Sequence, residues 1–110
     1  MNRPDLDRWN QRFAEEGYLF GEAPNCFLAE RAAALRPGRA LCVADGEGRN
    51  GVWLAEHGWQ VVSLDFSDVA QRKAADLAAR RRVKLDLVQA DVHHWDYPLE
   101  AFDLVADIFS

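Results

Sequence analysis

Three glycines and two carboxylates crowd the segment Asp45-Gly46-Glu47-Gly48-Arg49-Asn50-Gly51. Gly46, Gly48 and Gly51 stand at G-x-G-x-x-G spacing, which lets a backbone turn sharply and approach a ligand closely. The apolar run Leu41-Cys42-Val43 before them reads as a strand covered on both faces. Val52-Trp53-Leu54-Ala55 after them reads as a helix, whose first N–H groups lack helical partners and face whatever the loop holds. Asp65 ends the next apolar run, nineteen residues beyond Gly46. A carboxylate there can accept hydrogen bonds from both hydroxyls of a ribose. Together these features describe a site for a nucleotide-type cofactor.

The loop's own charges narrow the cofactor. Asp45 and Glu47, interleaved with the glycines, would repel a pyrophosphate. A ligand with a ribose and a cationic amino-acid tail is favoured instead. The run Ala44-Asp45-Gly46-Glu47-Gly48-Arg49-Asn50-Gly51 resembles the first motif of class I S-adenosylmethionine-dependent methyltransferases. The phrase Gly48-Arg49-Asn50-Gly51-Val52-Trp53-Leu54-Ala55 is similar to the tellurite-resistance and thiopurine or thiol S-methyltransferase-like branch of that family.

The resemblance implies S-adenosyl-L-methionine as cofactor. Asp45 would stand near its ammonium group, with Gly46 and Gly48 against its methionine and ribose portions. Asp65 would hold the ribose, with Phe66 lying against the adenine. Asp91 would receive the adenine amino group, and the Val92 N–H would reach a ring nitrogen. Glu47, Asn50 and Ser67 complete the set on the core. Asp107 and Ile108 would line the methyl-transfer position. Tyr18, Gly21 and Asn25 would come from an N-terminal segment near the cofactor. The implied reaction is methyl transfer to a small nucleophile, a thiol or a chalcogen oxyanion. Such a transfer needs mainly in-line positioning, so no catalytic acid or base is assigned.

The elements that must position these residues follow from periodicity and breakers. Leu6, Trp9 and Phe13 share one face of a helix over Pro4 to Glu16, and Gly17 stops it. Asn25 caps a second helix reaching Leu35, with Phe27, Leu28, Ala32 and Leu35 inward and Pro37-Gly38 ending it. Trp9, Phe13, Tyr18 and Phe20 fit either helices packed on a sheet or a lid over the cofactor. Gln60 to Asp65 is the second strand. Ser67 caps a helix from Asp68 to Arg82, with Val69, Ala70, Ala74, Leu77 and Ala78 inward. Its basic end complements the helix dipole and does not read as a nucleic-acid patch. Leu85 to Ala90 is the third strand and Phe102 to Ser110 the fourth. The fold expected is α/β, a Rossmann-like parallel sheet of order 3-2-1-4 with right-handed crossovers. The connection from Asp91 to Phe102 is too short for a full helix and must be a loop or a single turn. One domain is expected, with residues 1–38 as N-terminal helices or lid and 39–110 as the cofactor-binding core.

Bulk properties exclude other classes. A chain of 110 residues with 49% apolar and 28% charged residues is an ordinary globular domain. Its net charge of -5 argues against nucleic acid as a partner. Cys26 and Cys42 sit in unlike contexts and suggest no disulfide. His93-His94-Trp95-Asp96 lacks further ligands at useful spacing and does not read as a metal site. With no signal or membrane-spanning run, a cytoplasmic location is expected. The fourth strand would carry Leu104, Val105, Ile108 and Phe109 along an open sheet edge, which invites pairing. A piece of a longer, truncated protein, or a homo-oligomer or swapped dimer covering that edge, is therefore expected. Two rival readings stand beside methyl transfer. One is a non-catalytic cofactor-binding remnant. The other is a nicotinamide-dinucleotide domain, which must account for Asp45 and Glu47.

Overall fold

The computed structural model describes residues 3–14, 17, 18, 21–92, 94–96, 98 and 101–107. Phe20, His93, Ile108 and Phe109 lie outside them, as do the ends assigned to the first helix and the fourth strand. The elements are α1 (Arg3–Phe13), α2 (Cys26–Ala33), β1 (Arg39–Val43), α3 (Arg49–Glu56), β2 (Gln60–Asp65), α4 (Asp68–Arg80), β3 (Asp86–Gln89) and β4 (Leu104–Asp107).

All pairings in the sheet are parallel, and the order is β3-β2-β1-β4, as expected. Ala40, Leu41 and Cys42 of β1 are buried together, the pattern of a central strand covered on both faces. Leu28, Ala32, Leu54, Trp59, Val61 and Ala106 pack around Ala40 and Cys42. Burial pushes the Cys42 thiol well above its ordinary pKa, so it serves as a small hydrophobe. Between β3 and β4 the described residues hold turns, closed by His94 N–H to Asp91 O and Ala101 N–H to Pro98 O, and no α-helix.

Helix ends follow local chemistry. Asn25 Oδ1 accepts the Leu28 N–H at 3.1 Å, and Ser67 Oγ accepts the Ala70 N–H at 3.1 Å. The inward face of α2 is narrower than its sequence suggests. Leu28 and Ala32, four residues apart, are buried, whereas Phe27 is 60% exposed and Leu35 47%. Phe27 lies about 100° around the helix from Leu28, where the Arg31 guanidinium covers its ring at 5.0 Å. Leu35 falls beyond the last helical residue.

The end of α4 carries a strained residue. Arg82 adopts φ 59°, while its N–H reaches Ala79 O and the Val83 N–H reaches Ala78 O. This is a left-handed cap of the kind glycine normally supplies. Arg82→Gly is therefore expected to stabilise the fold by about 1 kcal/mol, measured as a rise in the midpoint of urea unfolding at unchanged slope.

Candidate functional site

Between β1 and α3 the backbone turns through three left-handed residues, Ala44 (φ 52°), Gly46 (φ 60°) and Gly48 (φ 88°). Gly48 is also the N-cap of α3 and provides no side-chain cap. It must be glycine on packing grounds as well. A Cβ there would lie 2.7 Å from Ala74 Cβ and 3.0 Å from Ala74 Cα on α4. The loop is thus pressed against α4, with its backbone at the carboxyl ends of the strands.

The two loop carboxylates do not face outward. Asp45 is 8% exposed, and its Oδ2 accepts the Ser63 hydroxyl at 2.7 Å. Its Oδ1 has no hydrogen-bond partner among the described residues. Burial raises the Asp45 pKa to about 7, while hydrogen bonds from Ser63 and the Gly51 N–H hold it down and the nearby Asp65 charge adds to the rise. Glu47 is 4% exposed, and its Oε2 lies 3.0 Å from Lys73 Nζ. Asp45, expected beside a ligand ammonium group, thus has one carboxylate oxygen on Ser63 and the other without a hydrogen bond, and Glu47 is turned toward Lys73.

Asp65, at the end of β2, is the acid that does stand beside the loop. Its Oδ2 accepts the Gly46 N–H at 2.8 Å and its Oδ1 the Ser67 N–H at 2.9 Å. Burial raises its pKa and these backbone donors oppose the rise. The Phe66 N–H is a third backbone donor to this carboxylate. Phe66 is half-buried next to it, and its carbonyl lies 3.4 Å from Gln89 Nε2. Asp91 and Val92 follow β3 half-buried, with Asp91 Oδ2 3.1 Å from His94 Nδ1. Asp107 ends β4, in register with Val43. The sheet thus gathers Gly46, Gly48, Asp65, Phe66, Asp91, Val92 and Asp107 along one edge, where open parallel sheets bind ligands.

The other expected site residues make contacts within the protein. Asn50 is buried, and its Oδ1 accepts the Asn25 N–H at 2.7 Å. Ser67 caps α4 and donates its hydroxyl to Asn10 Oδ1. Tyr18 packs on Val52, Leu77 and Ala78 of α3 and α4, with its hydroxyl 2.7 Å from Lys73 O. Gly21 (φ 79°) closes a turn onto Tyr18 O. Tyr18 therefore lies along the helix layer, and α1 is the element over the strand ends. The buried Phe13 ring would be 3.6 Å from a Cβ on Gly46. Asn10 reaches both Ser67 and Asp68. Phe13, one of the aromatic residues that fitted a lid in the sequence, is thus the one beside the loop, whereas Asn10, Ser63 and Lys73 are site neighbours that sequence reasoning missed. Only Ser63, a hydroxyl inside the apolar run of β2, left a signal in the sequence.

A separate groove of ≈ 570 Å³, lined by Arg39, Trp59, Gln60 and Lys84 among others, opens at the amino ends of the strands, away from the loop. No group of three or more metal-ligating side chains occurs among the described residues. None of the described helices is long and apolar enough to cross a membrane.

Residues 40–110 match the family described as a methyltransferase domain. The chain belongs to that family. Its methyltransferase domain is similar in structure to a protein studied for the conversion of a disulfide bond into a thioacetal group during echinomycin biosynthesis. Identity there is 28% and the TM-score 0.64, over 80% of this chain and 37% of that one. It is similar as well to the PH0226 protein of Pyrococcus horikoshii OT3, at 26% identity and TM-score 0.63, over 70% of this chain and 37% of that one. A methyltransferase from Geobacter sulfurreducens, solved with S-adenosyl-L-homocysteine, shares the fold at 18% identity and TM-score 0.74, over 94% of this chain and 43% of that one. The chain thus spans less than half the length of each. Comparison with the curated proteins gives no match. With its order β3-β2-β1-β4, the sheet has the class I methyltransferase fold.

Proposed function

We propose that this methyltransferase domain binds S-adenosyl-L-methionine across the carboxyl ends of β1, β2 and β3 for methyl transfer to a small nucleophile. The observation that carries the reading is the Asp65 carboxylate, held between the Gly46 and Ser67 N–H groups beside a turn whose Gly46 and Gly48 have no side chains. That arrangement fits an adenosine with a free ribose. Gly46 and Gly48 offer close backbone approach, Asp65 accepts from the ribose hydroxyls, and Asp91 with the Val92 N–H receives the adenine beside Phe66. Asp107 borders the transfer position. The cofactor supplies an activated methyl group on a sulfonium, so the protein's task is to orient it and exclude water. A thiol or chalcogen-oxyanion acceptor rests on the resemblance of residues 48–55 to the thiol S-methyltransferase-like branch. Val105, 44% exposed on β4, supports pairing of that edge with another strand, from a second copy or from the same protein.

Calorimetric titration with S-adenosyl-L-homocysteine tests the reading. Micromolar binding is expected in the wild type. Asp65→Ala should weaken it by about 1–3 kcal/mol, provided thermal unfolding shows the variant folded. Unchanged affinity in that variant would remove Asp65 from the site. Tight binding without turnover of any thiol would favour the non-catalytic remnant. Binding of a nicotinamide dinucleotide in place of the sulfonium analogue would favour the third reading.

A further inference from the structure

Glu47 occupies the middle position of the Gly46-Glu47-Gly48 turn, and its side chain is only 3% exposed. A carboxylate in that position must find a cation or distort the loop, because a buried charge without a partner is strongly unfavourable. Lys73 of α4 supplies the cation at 3.0 Å, itself only 19% exposed. This is no solvated surface pair of the sort that contributes little.

The same ammonium has a second duty. Lys73 Nζ donates to Gly17 O at 2.6 Å and lies 5.7 Å from the centre of the Tyr18 ring, while the Lys73 carbonyl accepts the Tyr18 hydroxyl at 2.7 Å. An ammonium has three donors and can satisfy a carboxylate and a carbonyl together. Neighbouring residues of α4 hold the rest of the loop. Ala74 packs under Gly48, and Gln71 Nε2 donates to Ser63 O at 3.1 Å, behind the hydroxyl that binds Asp45. Three loop residues in four are therefore set by one stretch of α4, and Lys73 joins the loop to Gly17 and Tyr18.

Resting on the cofactor reading above, we infer that Lys73 is a positioning residue for the cofactor site. It acts through Glu47 to hold the glycine turn in its ligand-receiving shape, and it makes Gly17 and Tyr18 move with that turn.

The test compares Lys73→Met, Lys73→Arg, Glu47→Gln and the Lys73→Met/Glu47→Gln double variant. S-adenosyl-L-homocysteine affinity is read by calorimetry, and amide exchange is read in residues 45–48 and at Gly17 and Tyr18. Lys73→Met should weaken binding about tenfold at a temperature where it remains folded, and Lys73→Arg should restore most of the loss. Glu47→Gln should act in the same direction, and the double variant should bind no worse than the weaker single one, since coupled residues are not additive. Exchange should quicken in the loop and at Gly17 and Tyr18 together in Lys73→Met. Should that variant fail to fold, Glu47→Gln and Lys73→Arg carry the comparison. A lowered melting temperature with affinity unchanged would overturn the inference, as would additive losses or exchange that quickens in one segment alone. If the wild type itself does not bind the ligand, the cofactor reading fails, and the exchange experiment still decides whether Lys73 links the two segments.

Discussion

Gly48→Ala is expected to lower the stability of the fold by roughly 2–5 kcal/mol, more than the same change at Gly46. Two independent terms add. A left-handed φ of 88° costs an alanine about 1–2 kcal/mol. The new methyl would also lie 2.7 Å from Ala74 Cβ and 3.0 Å from its backbone Cα. Neither atom can swing aside, so loop and helix must separate, at about 1–3 kcal/mol for an overpacked contact. Gly46→Ala provides the control. Its φ of 60° carries the same conformational term, but the nearest atom is Phe13 Cζ at 3.6 Å, an ordinary contact. Thermal unfolding of the two variants should therefore separate them, with Gly48→Ala melting well below Gly46→Ala. Equal losses would mean that the contact with Ala74 does not constrain the loop.

The second large effect concerns pH. Asp45 titrates near 7 in the folded chain against an ordinary 3.8, so the native state holds a proton there that the unfolded chain has released. Stability contributed by the protonated form is present below the ordinary value and is lost as pH rises toward the folded value. At about 1.36 kcal/mol per unit, roughly 4 kcal/mol of stability is lost between pH 4 and pH 8. The causes are burial, first, and the facing Asp65 charge. The Ser63 hydroxyl, the Gly51 N–H and the Arg49 charge act in the opposite sense. Asp45→Asn keeps the shape of the side chain and removes the titration. The difference in unfolding free energy, variant minus wild type, should climb by about that amount across the interval. A flat difference would show that Asp45 is not buried as a titrating acid.

Much of the architecture was legible because apolar runs and breakers coincide. Leu41 to Val43, Gln60 to Asp65 and the Asn25 and Ser67 caps all mark elements that form where their residues indicate. The sheet order was expected from right-handed connections together with the family resemblance. Side-chain direction was less legible. Nothing in Asp45-Gly46-Glu47 tells which way a loop carboxylate points. The direction is set by partners far along the chain, Ser63 for Asp45 and Lys73 for Glu47. Lys73 was not singled out, because its partners Glu47 and Gly17 lie far from it in the sequence. Phe27 and Leu35 looked like core because hydrophobicity was weighed without the helix's early end at Ala33. Tyr18 fitted a lid by its neighbours in sequence, yet its hydroxyl finds a backbone acceptor on α4, and the hydrophobic wall beside it is formed by Val52 and Leu77. The covering of the strand ends falls instead to Phe13 and Asn10, contacts of long sequence separation that no local pattern encodes.

The central claim is that the carboxyl ends of β1, β2 and β3 form the S-adenosyl-L-methionine site. Titrating isotope-labelled protein with S-adenosyl-L-homocysteine and following each backbone amide by NMR tests it most directly. The account predicts saturable shifts centred on Gly46, Gly48, Phe66, Ser67 and Val92. Saturable shifts confined to Arg39, Gln60 and Lys84, in the groove at the opposite ends of the strands, would contradict it.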